Sequence, residues 1–161
     1  MKNTKRFWSY PAVILLLFVV VACGDDTPDP TTQEVPGEEL AGTWLVNEAA
    51  DVTGPAADQF TNFSITITAT ASEVSYVTSG SGDPLVFPDQ GTFIVEATDD
   101  FEQGAEVLRD EDNVPITVNL SEGGNVMNLT FTIDVGTTAS NGRVAGINGE
   151  YNFRLEAEGS N

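Results

Sequence analysis

The chain has 161 residues, with 25 acidic and 6 basic side chains, one cysteine and no histidine. That length fits one domain. The missing histidine removes Ser-His-Asp triads and ordinary zinc sites, and the excess of acids repels nucleic-acid phosphates and anionic lipid surfaces. We therefore predict a protein that is not an enzyme, has no metal or other cofactor and binds no nucleic acid.

Residues 1–22 have the pattern of a secretory signal peptide. Lys2, Lys5 and Arg6 form a basic start, and eleven uninterrupted apolar residues follow from position 12 to position 22. This apolar core is too short to span a bilayer. Removal of the leader leaves three arginines against 25 acids, a net charge of −22.

The leader ends in Val20-Val21-Ala22-Cys23-Gly24, which resembles the lipobox of bacterial lipoproteins, with Val20 where leucine is usual. The resemblance implies that Cys23 is lipidated and becomes the new N-terminus. Two or three acyl chains anchor a protein stably to a membrane, and a lone cysteine cannot form a disulfide within the chain. The alternative is an ordinary signal peptide followed by an incidental thiol.

Residues 23–37 are predicted to be a disordered, acidic tether. Positions 24–37 hold three prolines and four acids but almost no bulky apolar side chains, so nothing there drives collapse. The pair Asp25-Asp26 also resembles the signal that sorts some Gram-negative lipoproteins to the outer face of the outer membrane, with plain solvation of the linker as the alternative. We expect a lipid-anchored protein of the Gram-negative cell envelope, in the outer membrane.

From residue 38 to residue 159 apolar and polar side chains alternate with a period of two, which predicts β-strands. Residues 49–60 allow at most a turn or two of helix, and Asn148-Gly149 suits a two-residue hairpin. The clearest strand patterns lie at 63–68, 116–121, 126–135 and 151–155, and weaker ones at 40–47, 73–78, 92–98, 105–109 and 143–147.

Eight or nine antiparallel strands predict an all-β domain at residues 38–159. We expect an up-and-down barrel, with a β-sandwich as the alternative, because both architectures close or protect the strand edges. The alternation places Phe131 and Phe153 inside and Thr130 and Arg154 on the other face.

The first strand pattern begins Leu40-Ala41-Gly42-Thr43-Trp44, which resembles the Gly-x-Trp opening of lipocalins. The run from Pro88 to Phe93 and the segment 143–155 resemble small bacterial lipocalin-like lipoproteins, which usually have no assigned activity. This resemblance implies an up-and-down barrel in which Trp44 plugs the closed end and Arg154 lies across its indole ring.

The same resemblance implies that the barrel interior binds a small apolar ligand, which enters at the end opposite Trp44, near residues 79–84 or 110–113. The alternative is a packed, ligand-free barrel that acts as a surface structural or interaction protein. The expected lining of a ligand site comprises Trp44, Phe63, Ile65, Phe93, Phe131 and Phe153.

The acidic side chains raise two further possibilities, calcium binding and glycoside hydrolysis. Asp110-Glu111-Asp112-Asn113 supplies oxygens of the kind that calcium prefers, but the spacing of an EF-hand is missing. A solvated hairpin end is the simpler interpretation. Glycoside hydrolysis needs two facing carboxylates, and no sequence feature places such a pair.

We predict that Cys23→Ser abolishes lipid attachment, because the thiol is the acceptor of the first two acyl chains. Metabolic labelling with a fatty acid should mark the wild-type chain and leave the variant unlabelled. Label in the variant, or partitioning of the wild-type chain into water during detergent phase separation, would contradict the assignment.

Overall fold

The computed structural model describes residues 35–135 and 146–160. Residues 1–34, with Cys23, the leader and most of the tether, lie outside the described residues, and so do positions 143–145 of one weak strand pattern. Lipid attachment therefore remains a prediction. Within the described ranges, no helix has the length and apolar character needed to cross a membrane.

Nine strands form one antiparallel sheet in the described part of the chain. Three 3-10 helices of three residues each, Glu38–Leu40, Ala49–Asp51 and Ala57–Gln59, precede or flank the first strands. The strands are β1 (Gly42–Leu45), β2 (Val52–Thr53), β3 (Ser64–Ala69), β4 (Val74–Ser79), β5 (Gln90–Ile94), β6 (Ala105–Arg109), β7 (Val114–Ser121), β8 (Val126–Ile133) and β9 (Gly149–Ala157).

Eight of these strands close into a barrel. Each of β3 to β9 pairs with its neighbour in sequence, β3 pairs with β1, and β1 pairs with β9 to close the ring. The short β2 follows β1 along the same edge of β9, where Val52 lies opposite Phe153. Full closure leaves no long exposed sheet edge, and the barrel rather than the sandwich is confirmed.

The antiparallel order places the connections alternately at the two ends of the barrel. The end where the chain enters, here called the tether end, carries residues 35–41, 70–73, 95–104, 122–125 and 158–160. The opposite end, here called the loop end, carries residues 46–63, 80–89 and 110–113, together with both described flanks of the β8–β9 connection.

The local patterns identified most strands correctly. The 126–135 pattern corresponds to β8, and the turn or two of helix predicted within 49–60 corresponds to two of the 3-10 helices. Two predictions were wrong. Gly149 is not a hairpin turn, because it belongs to β9 and lies opposite Ile133. Gly146 and Ile147 lie outside any strand, and the ninth strand is instead Val52–Thr53.

The predicted strand faces are confirmed by burial. Phe131 and Phe153 are 3% and 1% exposed, whereas Thr130 and Arg154 are partly exposed. Thr130 Oγ1 donates a hydrogen bond to Asn152 Oδ1 on the outer face. The barrel interior is therefore the apolar core of the domain.

We predict that Phe131→Ala lowers the free energy of unfolding by about 3 to 5 kcal/mol, because it removes a buried ring. Thr130→Ala removes an exposed hydrogen bond and should cost about 1 kcal/mol or less. Urea denaturation of both variants provides the measurement. Equal losses of stability in the two variants would mean that β8 does not have one buried and one exposed face.

Candidate functional site

The interior of the barrel holds one connected cluster of aromatic rings. Neighbouring ring centroids are 4.7 to 6.5 Å apart, mostly in edge-to-face geometry, within the range in which aromatic pairs attract. Its members are Phe60, Phe63, Tyr76, Phe87, Phe93, Phe131, Tyr151 and Phe153. These rings occupy the space in which a ligand was expected.

All six residues expected to line a ligand site are buried inside the barrel. Phe63, Phe93, Phe131 and Phe153 belong to the aromatic cluster, so they contact other side chains of the protein. Trp44 and Ile65 are cross-strand partners on β1 and β3. The structure brings the predicted residues together, and it packs them against one another.

Trp44, which was expected to plug the closed end of the barrel, lies near the 3-10 helix Glu38–Leu40 at the tether end. It is 2% exposed and lies opposite Ala157, the last residue of β9. Its indole N–H donates to the carbonyl oxygen of Leu40 at 2.9 Å. The 3-10 helix before β1 therefore satisfies the one polar atom of the buried indole.

Arg154 does not lie across Trp44 as predicted. Its guanidinium lies on the outer face of β9 and forms ion pairs with Glu156 at 2.5 Å, Asp51 at 3.6 Å and Glu122 at 3.7 Å. The alternation along β9 explains the difference, because residues next to buried Phe153 and Leu155 point outward. Among the described residues, the cation–π contacts recorded are those of Arg109.

Phe87 reaches the centre of the barrel from a loop. It lies in the β4–β5 connection at the loop end and is 2% exposed. Its ring centroid lies within 5.4 to 6.0 Å of the rings of Phe63, Tyr76, Phe131 and Phe153. A ligand was expected to enter at the loop end, and the buried ring of Phe87 lies there.

The turn that carries Phe87 is fixed by hydrogen bonds. Asp83 accepts bonds from the backbone N–H groups of Leu85, Val86 and Phe87. At Gly80 the backbone has a φ of 91°, and a Cβ there would collide with the carbonyl oxygen of Asn62. Glycine thus permits the close approach of the 46–63 and 80–89 connections at the loop end.

Arg109 is the one buried charged residue in the described ranges, and it is 0% exposed. Its Nε and Nη2 donate to the two carboxylate oxygens of Asp112 at 2.9 and 2.6 Å, and Nη1 donates to the carbonyl oxygen of Val86 at 2.9 Å. The guanidinium also lies 5.2 and 5.7 Å from the ring centroids of Phe87 and Phe131. One side chain thereby joins two loops to the aromatic cluster.

The sequence carried a signal for Arg109 and Phe87 that the alternation argument did not use. Arg109 has the same parity as Ala105 and Val107, so it falls on the inward face of β6. A charged residue that falls on the inward face of a strand is predicted to be buried and to have a partner of opposite charge. Likewise Leu85-Val86-Phe87 is an apolar run between two prolines, directly after the 79–84 segment and outside every predicted strand.

Two of the three acids considered for calcium already have partners within the protein. The Asp112 carboxylate binds Arg109, and Glu111 Oε1 accepts a hydrogen bond from the backbone N–H of Thr92 at 2.6 Å. No group of three or more acids in the described ranges is arranged to hold a metal ion. Burial raises the pKa of Asp112, but hydrogen bonding to Arg109 and its charge outweigh this and hold the pKa below the usual range.

The hydroxyl of Tyr76 is buried near the same cluster and makes no hydrogen bond with the described residues. Burial, followed by the negative charge of Glu111, raises the pKa of Tyr76. The phenol therefore stays protonated and neutral at physiological pH.

No protein-family model, no curated protein and no solved structure matches this chain. The lipocalin-like resemblance therefore depends on short stretches of sequence alone, namely the motif around Trp44, the run from Pro88 to Phe93 and the segment 143–155.

We predict that Asp112→Asn lowers the free energy of unfolding at pH 7 by about 2 kcal/mol. Loss of a partner from a fully buried pair costs about 3 to 5 kcal/mol, and the partial exposure of Asp112, whose side chain is 39% exposed, reduces that cost. Asp110→Asn in the same connection is the matched control and should change stability by less than about 0.5 kcal/mol.

The difference between Asp112→Asn and the wild type should depend on pH. Because the folded-state pKa of Asp112 is lowered, its stabilisation is present at neutral pH and is lost as the pH falls through that pKa. The free energies of unfolding of the variant and the wild type should therefore converge as the pH falls into the acid range. A difference that stays constant down to pH 2 would contradict the ion-pair account.

Proposed function

We propose that the chain is a membrane-anchored, non-catalytic lipoprotein of the cell envelope whose packed barrel serves as a rigid structural or interaction module. The observation that supports this proposal most strongly is the position of Phe87 at the centre of the aromatic cluster. A ring supplied by the protein's own loop occupies the interior, and close packing of this kind makes a barrel stiff.

The charge of the tether end also supports the proposal. Several acids, including Glu38, Glu39, Asp99 and Asp100, lie at the tether end. Their charge would repel an anionic lipid surface and keep the barrel away from it.

The alternative, a lipocalin-type carrier of a small apolar ligand, needs space inside the barrel. That function would require the loop residues Val86 and Phe87 to leave the core, against the hydrogen bond from Arg109 to Val86. It would also separate the ring of Phe87 from four other rings. The geometry therefore supports a structural or interaction module better than it supports a carrier.

Titration with the neutral apolar dye Nile red tests this proposal on a chain that begins at residue 24 and lacks the lipid. We expect no saturable binding by the wild-type chain. Phe87→Ala, if folded, should bind the dye because the substitution removes the central ring and leaves space inside the barrel. This variant is the positive control for detection of an open interior. Saturable binding by the wild type at one dye per chain would contradict the proposal and favour the carrier.

A further inference from the structure

A surface cleft of about 560 Å³ lies at the loop end, between three connections. Its lining comprises Pro55, Ala56, Asp58, Gln59, residues 82–85 and residues 146–147. Buried Ala56 and Ile147, each 3% exposed, belong to this lining, and Leu85 is 51% exposed beside them. The volume suits a ligand group or a few side chains of a partner.

Leu85 is unusual on this surface. It is one of four large apolar side chains with substantial exposure among the described residues, and it is the one that lies in the cleft. The turn that presents it is ordered by the Asp83 carboxylate, which accepts a hydrogen bond from the Leu85 backbone N–H at 2.9 Å. An apolar side chain held outward next to a concave surface favours contact with a partner.

The charge of the cleft is negative. Asp58 and Asp83 both line it, and neither forms an ion pair with a residue in the described ranges. The two cations of those ranges are committed elsewhere, since Arg109 is buried against Asp112 and Arg154 binds acids on β9. An incoming lysine or arginine would therefore meet carboxylates without competition from an arginine of the described barrel.

We propose that this cleft is a docking site for a basic peptide segment of a partner protein, in which an apolar residue is flanked by lysine or arginine. The apolar residue contacts Leu85 and the Ala56 side of the cleft, and the cations pair with Asp58 and Asp83. The proposal rests on the function proposed above, because it names the class of partner that the interaction module would bind. The cleft lies outside the barrel interior, so Nile red binding that Leu85→Ser abolishes would report the cleft, and binding that Leu85→Ser leaves unchanged would report the interior.

The test uses the full chain purified in a neutral detergent and a fluorescein-labelled pentapeptide of sequence Gly-Lys-Leu-Lys-Gly, with detergent alone as the blank. Fluorescence anisotropy should show saturable binding of one peptide per chain, weaker at 150 mM salt than at 20 mM because exposed charges are screened. Peptides of sequence Gly-Lys-Gly-Lys-Gly and Gly-Glu-Leu-Glu-Gly should bind at least about fivefold more weakly, since each lacks one of the two contacts.

Two substitutions in the cleft test whether the peptide binds there. Leu85→Ser should weaken binding about five- to tenfold through lost apolar contact, and Asp58→Asn about two- to fivefold, as is usual for an exposed ion pair. Neither side chain is buried, so both variants should fold. Asp83 is left unchanged because its carboxylate orders the turn.

Matched controls lie elsewhere on the barrel. Ile94→Ser removes an apolar side chain of similar exposure, 50%, and Glu106→Gln removes an exposed acid on β6. Neither should change the affinity as much as twofold. Equal weakening by controls and cleft variants, or the absence of saturable binding, would overturn the proposal. Binding that appears only after Arg143→Gln would also overturn it, because residues 136–145 of the chain itself would then be the occupant.

Discussion

The arrangement of the loop end depends on one constraint, the burial of the Arg109 charge. A guanidinium with no exposed surface is stable only when a counterion and hydrogen-bond acceptors surround it. Asp112 and the carbonyl oxygen of Val86 supply these, and two aromatic rings cover its faces. The 110–113 and 80–89 connections are therefore both held at the mouth of the barrel, and with Val86 in place the next residue, Phe87, points into the core.

Phe87 connects this electrostatic constraint to the apolar core. Its ring joins aromatic side chains from β4, β8, β9 and the residue before β3. Rings at these separations stabilise one another beyond the area that they bury. An up-and-down barrel of this size can enclose either a ligand or its own side chains, and here a loop supplies one of the rings that lie in the interior.

Much of this fold could be predicted from local patterns, because a period of two reflects a half-buried strand. The inward position of Phe131 and Phe153 followed from that period alone. The two-residue strand Val52–Thr53 could not be found in this way, since two residues show no period and its place is set by pairing with β9. The insertion of Phe87 was missed for a similar reason, because it depends on partners that are distant in sequence. The outward position of Arg154, by contrast, followed from parity, whereas its ion pairs with Asp51 and Glu122 depend on residues distant in sequence.

The central claim is that the protein's own side chains fill the barrel. A crystal structure of residues 33–161 under xenon pressure measures this directly, because xenon enters dry apolar cavities and scatters strongly. The account predicts no xenon site among the rings of Phe63, Phe131 and Phe153, with the ring of Phe87 in contact with all three. A well-occupied xenon site inside the barrel, or a Phe87 ring turned out to solvent, would contradict it.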